Sequence, residues 1–453
     1  MRMPRGCSIF DLEGAGARVR DALSASGLGG AIRRYFEEIK DGREPSRITI
    51  PLEDALMAGF AIFAMKMPSL LHFDGIRVDE SRAHNLRRLF GIQKPPSDTA
   101  LREILDEVDP QTIRGAFTSV FGLMQRGKAL EQFLFHDGMY LISLDGTGYF
   151  SSDSVSCSSC LVKNSKKNGT TYHHQMLAAV LIHPDIKAVV PLCPEEIVKQ
   201  DGEAKNDCER NAAKRLLDKI RREHPRLGII IVEDGLASNA PHIEELRTHR
   251  MSFILGAKPG DHKWLFKCVD QQESEGKVQT LLERDGTTVR QYRFINDVPL
   301  NQKNSNVRVN FLEMFESEGN STKGTTFSWV TDINITPENV TKLARGGRAR
   351  WKIENETFNT LKNQGYHFEH NFGHGYRHLS VVFGYLMMLA FLVDQAQLLC
   401  CKLFQAARKK MVRASEFWDM LRGLFRNCFV DSYEQMLSGI ASGYRPILVP
   451  NSS

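Results

Sequence analysis

The sequence has little of what marks a membrane or secreted protein. Its longest apolar run, LSVVFGYLMMLAFLV (379–393), stops at Asp394 and is shorter than the roughly 20 residues of a membrane span. The N-terminus, MRMPRGCSIFDLEG, lacks the apolar core of a signal peptide. Nine cysteines, odd in number and irregularly spaced, indicate reduced thiols rather than a disulfide framework. We therefore expect a cytoplasmic protein without a membrane segment, in which residues 379–393 form a buried helix.

Net charge is also small, at +5 for 453 residues, but it is unevenly distributed. Residues 341–453 hold 15 Lys and Arg against 8 Asp and Glu. A basic surface suits a polyanionic partner such as a nucleic acid. A solvated helical surface with no such partner has the same composition. The sequence shows neither internal repeats nor low-complexity segments.

The hydrophobic periodicity predicts an α/β protein with helical ends. Residues 1–130 are predicted to be mainly helical, with recurring arginines that favour either a DNA-binding region or a plain helical scaffold. Residues 401–453 are predicted to form a basic helical region. We place the core between them, in two parts, 131–260 and 326–400. Residues 261–325 are predicted to be a β-rich insertion, with a hairpin turn at Asp285-Gly286.

The order of elements in the core predicts its topology. The apolar patterns 139–145, 175–183 and 187–193 predict an antiparallel meander of three strands. An amphipathic helix at 206–224, a buried strand at 228–234, a helix at 239–249 and a strand at 251–258 follow. This is the order of the ribonuclease H-like fold, in which the first and fourth strands are neighbours.

Three acids stand where such a core could gather them. Asp145 in LISLDGTGYF and Asp234 in IIIVEDGLASN are each predicted to end a strand, and each is followed by a glycine that would let a phosphate backbone approach. Glu354 lies near the start of a predicted amphipathic helix, RARWKIENETFNTLK (348–362). Three carboxylates on rigid elements suit a pair of Mg²⁺ ions, which prefer oxygen ligands and retain several waters. Such a site can cut and join phosphodiesters.

Regular helix geometry favours Glu354 over Glu356 as the third acid. Arg350, Glu354, Phe358 and Lys362 recur every four residues and would share one face. Glu356 would lie about 200° round the helix from Glu354. Arg350 and Lys362 could then contact phosphates beside the metals. An exposed helix with an Arg350–Glu354 ion pair fits the same spacing.

These motifs resemble the DDE transposases of bacterial insertion sequences, in the branch of the ribonuclease H-like superfamily with a β-rich insertion before the third acid. The contexts LDGT, EDG and RWKIEN match the three acids of that family, and the resemblance covers roughly 130–400. The family signature places a tyrosine where this chain has Gly347, and Lys362 falls one position later than its strict spacing. Any role of that tyrosine hydroxyl is therefore absent here.

The resemblance implies a DNA transposase that hydrolyses DNA at transposon ends and then joins a 3′-hydroxyl to target DNA. It implies Mg²⁺, with Mn²⁺ as a substitute, held by Asp145, Asp234 and Glu354. Double-stranded DNA, both the inverted repeats at the ends and the target, would be the partner of a homodimer in a synaptic complex. The residues expected to bind DNA are Arg350, Lys362, Arg348 and Lys352. A related nuclease without strand transfer and a non-catalytic DNA-binding derivative are the alternatives.

Two further clusters have no place in this scheme. Cys157-x-x-Cys160 with His173 and His174 has zinc-ligand character, but a single CxxC beside adjacent histidines also fits exposed reduced thiols, with His174 packed on a strand. The segment HFEHNFGHGYRH (367–378) fits either a DNA-contacting loop or packing against the following apolar helix. We make no claim of a metal site for that segment from the sequence.

Overall fold

The computed structural model describes residues 21–77, 79–165, 169–199, 205–319, 321 and 323–443. These residues divide into two compact units, which we describe separately. The helical unit holds the residues up to Glu131, Tyr149–His174 and the residues from Asn359 onward. The sheet unit holds Gln132–Gly148 and Gln175–Phe358.

The described helices, in chain order, are α1 Ala25–Glu37, α2 Leu52–Ala64, α3 Leu70–Arg77, α4 Glu80–Phe90, α5 Asp98–Asp106, α6 Arg114–Arg126, α7 Lys205–Glu223, α8 Ala240–Thr248, α9 Lys263–Ser274, α10 Val340–Arg348, α11 Asn359–Asn363, α12 Leu379–Cys400, α13 Lys402–Lys409, α14 Ala414–Asn427 and α15 Tyr433–Ser442. Short 3₁₀ turns lie at Pro45–Arg47, Pro110–Ile113, Glu131–Phe133 and Ala349–Trp351. A π-helical turn spans Ile353–Phe358.

The described strands are β1 Leu134–His136, β2 Met139–Ser152, β3 Leu161–Ser165, β4 Gly169–His183, β5 Ile186–Pro191, β6 Glu195–Ile197, β7 Ile229–Glu233, β8 Ser252–Gly256, β9 Gln279–Asp285, β10 Thr288–Pro299, β11 Arg308–Glu318 and β12 Gly324–Thr331. In the sheet unit, eight of these strands pair in the order β4-β2-β7-β8-β12-β11-β10-β9. The pairs β2/β7 and β7/β8 are parallel, whereas β8/β12 and the pairs beyond it are antiparallel.

This mixed sheet confirms the predicted α/β core of ribonuclease H-like type. The predicted first and fourth strands are β2 and β7, and they are neighbours as that fold requires. All five residues of β7 are buried, as a central parallel strand with a continuous apolar sequence should be. Helix α7 buries Ala212, Leu216, Leu217 and Ile220, the apolar stripe that its periodicity predicts.

The strands of the predicted insertion extend the sheet instead of forming a layer of their own, because β12 pairs directly with β8. The hairpin turn at Asp285-Gly286 is confirmed, since Asp285 pairs with Thr288 and Gly286 has a φ of 60°. The sequence did not predict helix α9. Its Leu265 and Val269 are wholly buried, so packing imposes a helix on an otherwise polar segment.

In the helical unit, α1 to α6 confirm the helical prediction for the described part of residues 1–130, and residues 1–20 lie outside the described residues. Helices α13 to α15 confirm the helical prediction for the described part of 401–453. The side-chain oxygen of Ser97 accepts from the Ala100 amide and caps the N-terminus of α5. Strand β3 pairs with the first part of β4.

Helix α12 is the core helix of the helical unit. Its 22 residues are long and apolar enough to cross a membrane by composition alone, with a mean hydropathy of 1.7 over its most apolar window, but that window is entirely buried inside the protein. It packs against α2, α5 and α6. The prediction of a buried helix at 379–393 is therefore confirmed.

Candidate active site

Asp145 lies on β2, just beyond the stretch where β2 pairs with β7. The last parallel pair joins Ser143 to Val232. The prediction that the strand ends at Asp145 is wrong, because β2 continues to Ser152. The Asp145 side chain is 30% exposed, and its Oδ1 accepts from the Gly146 amide at 2.9 Å. The carboxylate therefore emerges where the central pairing stops rather than where the strand stops.

Asp234 directly follows β7 and faces the same cleft. Its Oδ1 accepts from the Leu236 amide at 2.9 Å, which holds the turn after the strand. Because β2 and β7 are parallel and adjacent, Asp145 and Asp234 emerge at the same edge of the sheet. Both line one cleft together with Arg350. The structure thus brings the first two predicted acids together.

Glu354 joins this group through Arg350. The Arg350 guanidinium reaches Glu354 Oε1 at 2.8 Å and Asp145 Oδ2 at 3.6 Å. Its main-chain carbonyl accepts from Ser143 Oγ at 3.4 Å, which ties this turn to β2. Glu354 is linked to the cleft by the arginine and does not itself belong to the cleft lining. One cation therefore holds two of the three acids.

Glu356 lies in a different environment. Its charge acts on Lys352, whose side-chain ammonium donates to the Ile186 carbonyl at 2.7 Å. Burial lowers the pKa of Lys352, and the negative charge of Glu356 opposes that shift. Arg350 thus contacts Glu354, as their spacing of four residues predicted, and the choice of Glu354 as the third acid stays a prediction.

The helix that carries Glu354 is not regular. The chain passes from a 3₁₀ turn into the π-helical turn and then into α11. Wider π turns are rare and often occur at functional sites. Since Glu354 lies inside the π-helical turn, the predicted common face does not persist: Glu354 is half exposed, whereas Phe358 is 7% exposed. The single face running from Arg350 to Lys362 was therefore wrong beyond Glu354.

The other predicted DNA-binding cations have partners of their own. Arg348 contacts Glu316 Oε1 at 2.8 Å, and its guanidinium lies 4.5 Å from the centre of the Phe327 ring. Lys352 is 9% exposed. Lys362 belongs to the helical unit, where its ammonium contacts Glu369 Oε1 at 2.7 Å. Binding of DNA by these residues and by Arg350 stays a prediction.

The electrostatics of Asp145 fit a site built for a cation. Burial raises the pKa of Asp145 to about 6, and the charges of Glu354 and Glu209 add to the rise, while Arg350 opposes it. A single arginine thus does not fully compensate the carboxylates around it. An additional positive charge at this place would favour the ionised form.

This raised pKa has a consequence for stability. Asp145 binds a proton more tightly in the folded chain, with a pKa of about 6 against an ordinary value of 3.8. Its contribution to stability is therefore present below about pH 4 and is lost as the pH rises through about 6. In EDTA, Asp145→Asn should gain roughly 2–3 kcal/mol over wild type between pH 4 and pH 7. Urea unfolding at both pH values measures this gain, and parallel pH profiles would contradict it.

Glu209 is a fourth carboxylate that the sequence analysis missed. It lies in the first turns of α7 and lines the cleft with Asp145. Gly146 makes room for it, because a Cβ there would come within 2.6 Å of Glu209 Oε1. The glycine after Asp145 therefore admits a carboxylate, not only the phosphate backbone that the sequence suggested. No spacing pattern marks Glu209, since only the packing of α7 beside β2 brings it here.

A buried ion pair supports the Asp234 turn, and the sequence did not reveal it either. His242 Nε2 lies 2.6 Å from Glu233 Oε2, and both residues line the cleft. Burial opposes a charge on His242, but Glu233 outweighs it and raises the His242 pKa. Glu233 is thereby engaged by His242, so Asp234 remains the ligand candidate of the two adjacent acids.

The structure also explains why Gly347 replaces the tyrosine of the family signature. A Cβ at Gly347 would collide with the indole of Trp329. Trp329 is 6% exposed and stacks on Phe327, with the ring centres 6.1 Å apart. The space of a tyrosine side chain is therefore filled by the β12 aromatics.

Comparison with known families agrees with this geometry. Residues 156–392, slightly more than half of the chain, match the transposase DDE domain. Asp234 and Glu354 lie within the matched residues, and Asp145 lies 11 positions before the first of them, residue 156. No curated protein matches the chain.

The sheet order and the flanking helices define a protein of the ribonuclease H-like class. Within that class, the chain belongs to the transposase DDE domain family. Its general function is therefore that of a DDE transposase.

Proposed function

We propose that this protein cuts DNA at the ends of a bacterial insertion sequence and joins those ends to target DNA by metal-dependent phosphoryl transfer. The proposal rests on Asp145 and Asp234, which line one cleft in the sheet unit, and on Arg350, which lines the same cleft and contacts both Asp145 and Glu354. All three acids come from separate segments that the ribonuclease H-like topology brings together.

The residues present fit divalent cations. Carboxylate oxygens are the ligands that Mg²⁺ prefers, with Mn²⁺ as a substitute. Burial and the neighbouring carboxylates raise the pKa of Asp145, and the charge of Arg350 opposes the rise. A carboxylate in a site that would bind a further cation is expected to behave in this way. Asp145 and Asp234 would coordinate metal directly at the sheet edge, and Glu354 would hold the second ion. Bound there, the ions would activate the attacking hydroxyl and stabilise the leaving oxygen.

The chain's own residues have separate tasks in this proposal. Arg350 partly offsets the charges of Asp145 and Glu354, and its guanidinium also suits a phosphate oxygen. Glu233 and His242 hold the end of β7 and so position Asp234. Both DNA cleavage and strand transfer use the same site, because each is an in-line displacement at phosphorus.

The partners follow from the same proposal. Double-stranded DNA is the substrate, both as terminal inverted repeats and as target. Joining two ends requires two catalytic chains, so we propose a homodimer in a synaptic complex. The protein would act in the cytoplasm, where DNA is accessible and thiols stay reduced.

The test is cleavage of a labelled duplex carrying the DNA end that flanks the gene, with Mg²⁺ or Mn²⁺ and with EDTA. Wild type should nick this duplex only with metal and should yield strand-transfer joints. Glu354→Gln should lose at least about 10²-fold in rate, because it removes a ligand charge without changing shape. The matched control is Glu356→Gln, two residues away, which should retain activity.

The outcomes separate the candidate functions. Nicking without joints would support a nuclease of the same fold. Binding of the DNA end without any metal-dependent cleavage would support a non-catalytic DNA-binding protein. Equal rates for Glu354→Gln and wild type, with loss in Glu356→Gln, would overturn the choice of third acid.

A further inference from the structure

A second cluster of metal-binding side chains lies in the helical unit. Cys157, Cys160, His174 and His374 direct two thiols and two imidazoles toward one point, with all four ligand atoms within 4.8 Å of one another. Cys160, His174 and His374 are buried, and Cys157 is half-buried. None of these residues takes part in the proposed chemistry of the sheet unit. We propose that they form a structural Zn²⁺ site.

Five of the six distances between the ligand atoms are close to those of a zinc tetrahedron, and the sixth, between Cys157 and His374, is within 4.8 Å. With Zn–S of about 2.3 Å and Zn–N of about 2.05 Å, a regular tetrahedron has edges of about 3.8 Å for S–S, 3.6 Å for S–N and 3.3 Å for N–N. The Cys157–Cys160 sulfur distance is 3.8 Å, and the two histidine Nε2 atoms are 3.1 Å apart. His174 Nε2 lies 3.5 and 3.4 Å from the two sulfurs, and His374 Nε2 lies 3.2 Å from Cys160 Sγ.

The CxxC turn has the local geometry of a metal-binding knuckle. The Cys160 amide donates to the Cys157 carbonyl at 3.2 Å, which closes the turn. The Cys157 amide points at Cys160 Sγ at 3.4 Å. The sulfurs are much too far apart for a disulfide, whose S–S bond is about 2.05 Å. The turn therefore places both thiols where one metal ion could bind them, instead of joining them in a disulfide.

Contacts away from the Nε2 atoms hold the two histidine rings in place. His374 Nδ1 lies 2.8 Å from the Gly375 carbonyl, a contact that selects the tautomer with a free lone pair on Nε2. The loop after it is held by Asp106, whose carboxylate accepts from the amides of residues 376–379. His174 stacks on Tyr149, and Phe150 covers both histidine rings. His173, the residue before His174 on β4, projects from the opposite face of the strand.

The ligand set indicates a structural role and zinc as the metal. Four protein ligands fill a tetrahedral shell and leave no position for substrate. Two thiolates and two imidazoles in a tetrahedron suit Zn²⁺ better than Mg²⁺. The site would join the CxxC turn and β4 to the loop before α12, across 200 residues of sequence between His174 and His374. Because the ligands are so far apart in sequence, they come together only in the folded chain. Zinc binding would therefore stabilise the folded helical unit.

The test is metal analysis of the full-length protein purified from cells grown with zinc. We expect about one zinc per chain. Cys157→Ser and His374→Gln should lower it to about one-tenth or less, because three ligands bind zinc far more weakly than four. The matched controls are Cys268→Ser, a cysteine outside the cluster, and His173→Gln, the neighbour on the other strand face. Both should keep the wild-type zinc content.

A second measurement needs no variant. After removal of zinc with a chelator, wild type should take up one Co²⁺ and show the absorption bands of tetrahedral cobalt with thiolate charge transfer. The proposal is overturned if wild type contains no zinc and gives no such spectrum. It is also overturned if Cys157→Ser binds zinc as wild type does, or if mass spectrometry finds a Cys157–Cys160 disulfide. DNA cleavage is not the readout, so this test is independent of the proposed function.

Discussion

Asp234→Asn should abolish both DNA cleavage and strand transfer, each by at least about 10³-fold, or about 4 kcal/mol of transition-state stabilisation. Asparagine keeps the shape of the side chain, and its amide oxygen can still accept from the Leu236 amide. What it loses is the negative charge that would hold a divalent ion at the end of β7. The measurement is single-turnover cleavage in Mg²⁺, together with Mn²⁺ affinity in the absence of DNA.

The matched control is Asp285→Asn, an exposed carboxylate on the hairpin turn of the same unit, which should leave both quantities unchanged. DNA binding by Asp234→Asn should stay within a few-fold of wild type, because phosphate contacts come mainly from cationic side chains. If Asp234→Asn bound Mn²⁺ and cut DNA as well as wild type, Asp234 would not be a metal ligand. Loss of cleavage with retention of strand transfer would contradict a shared site.

Asp394→Ala should destabilise the helical unit by about 3–5 kcal/mol. Asp394 lies within the apolar helix α12 and forms a buried ion pair with Lys66, with side chains 5% and 0% exposed. Tyr366 also donates to Asp394, and the Lys66 ammonium lies 3.8 Å from the centre of the Trp418 ring. Removing the carboxylate leaves an uncompensated buried ammonium, whose pKa burial already lowers. Urea unfolding followed by circular dichroism measures the loss.

The double variant Lys66→Met with Asp394→Leu should regain most of that stability, since apolar residues of similar volume replace the pair. Asp431→Asn, which breaks an exposed ion pair with Arg88, is the surface control and should not shift the transition measurably. If Asp394→Ala unfolded at the same urea concentration as wild type, the buried pair would contribute nothing to the stability of the helical unit.

The acids of the candidate site could be predicted because each stands in a strong local pattern. A continuous apolar strand followed by Asp and Gly marks Asp234, and the strand containing Asp145 is equally clear. The order of elements then predicts that β2 and β7 are neighbours, which the sheet confirms. The contact between Arg350 and the proposed third acid, Glu354, follows from their spacing of four residues.

Features that depend on the exact backbone path could not be predicted in the same way. Strand β2 continues past Asp145 to Ser152. How far a strand extends beyond its contact with β7 depends on the tertiary structure and not on a local sequence pattern. The π-helical turn buries Phe358 and ends the regular face, although the sequence is compatible with an α-helix throughout. Glu209 reaches the cleft only because α7 packs there and Gly146 leaves room.

Hydrophobic period and strand-end residues are local signals, so the class of fold and the buried nature of α12 could be predicted from the sequence, and the three candidate acids could be proposed from it. Which distant side chains meet depends on the tertiary structure. It joined His374 to a CxxC turn more than 200 residues earlier, and it paired Lys66 with Asp394 across 328 residues. Such contacts arise when packed elements bring together side chains whose sequence separation has no period, so no local pattern records them.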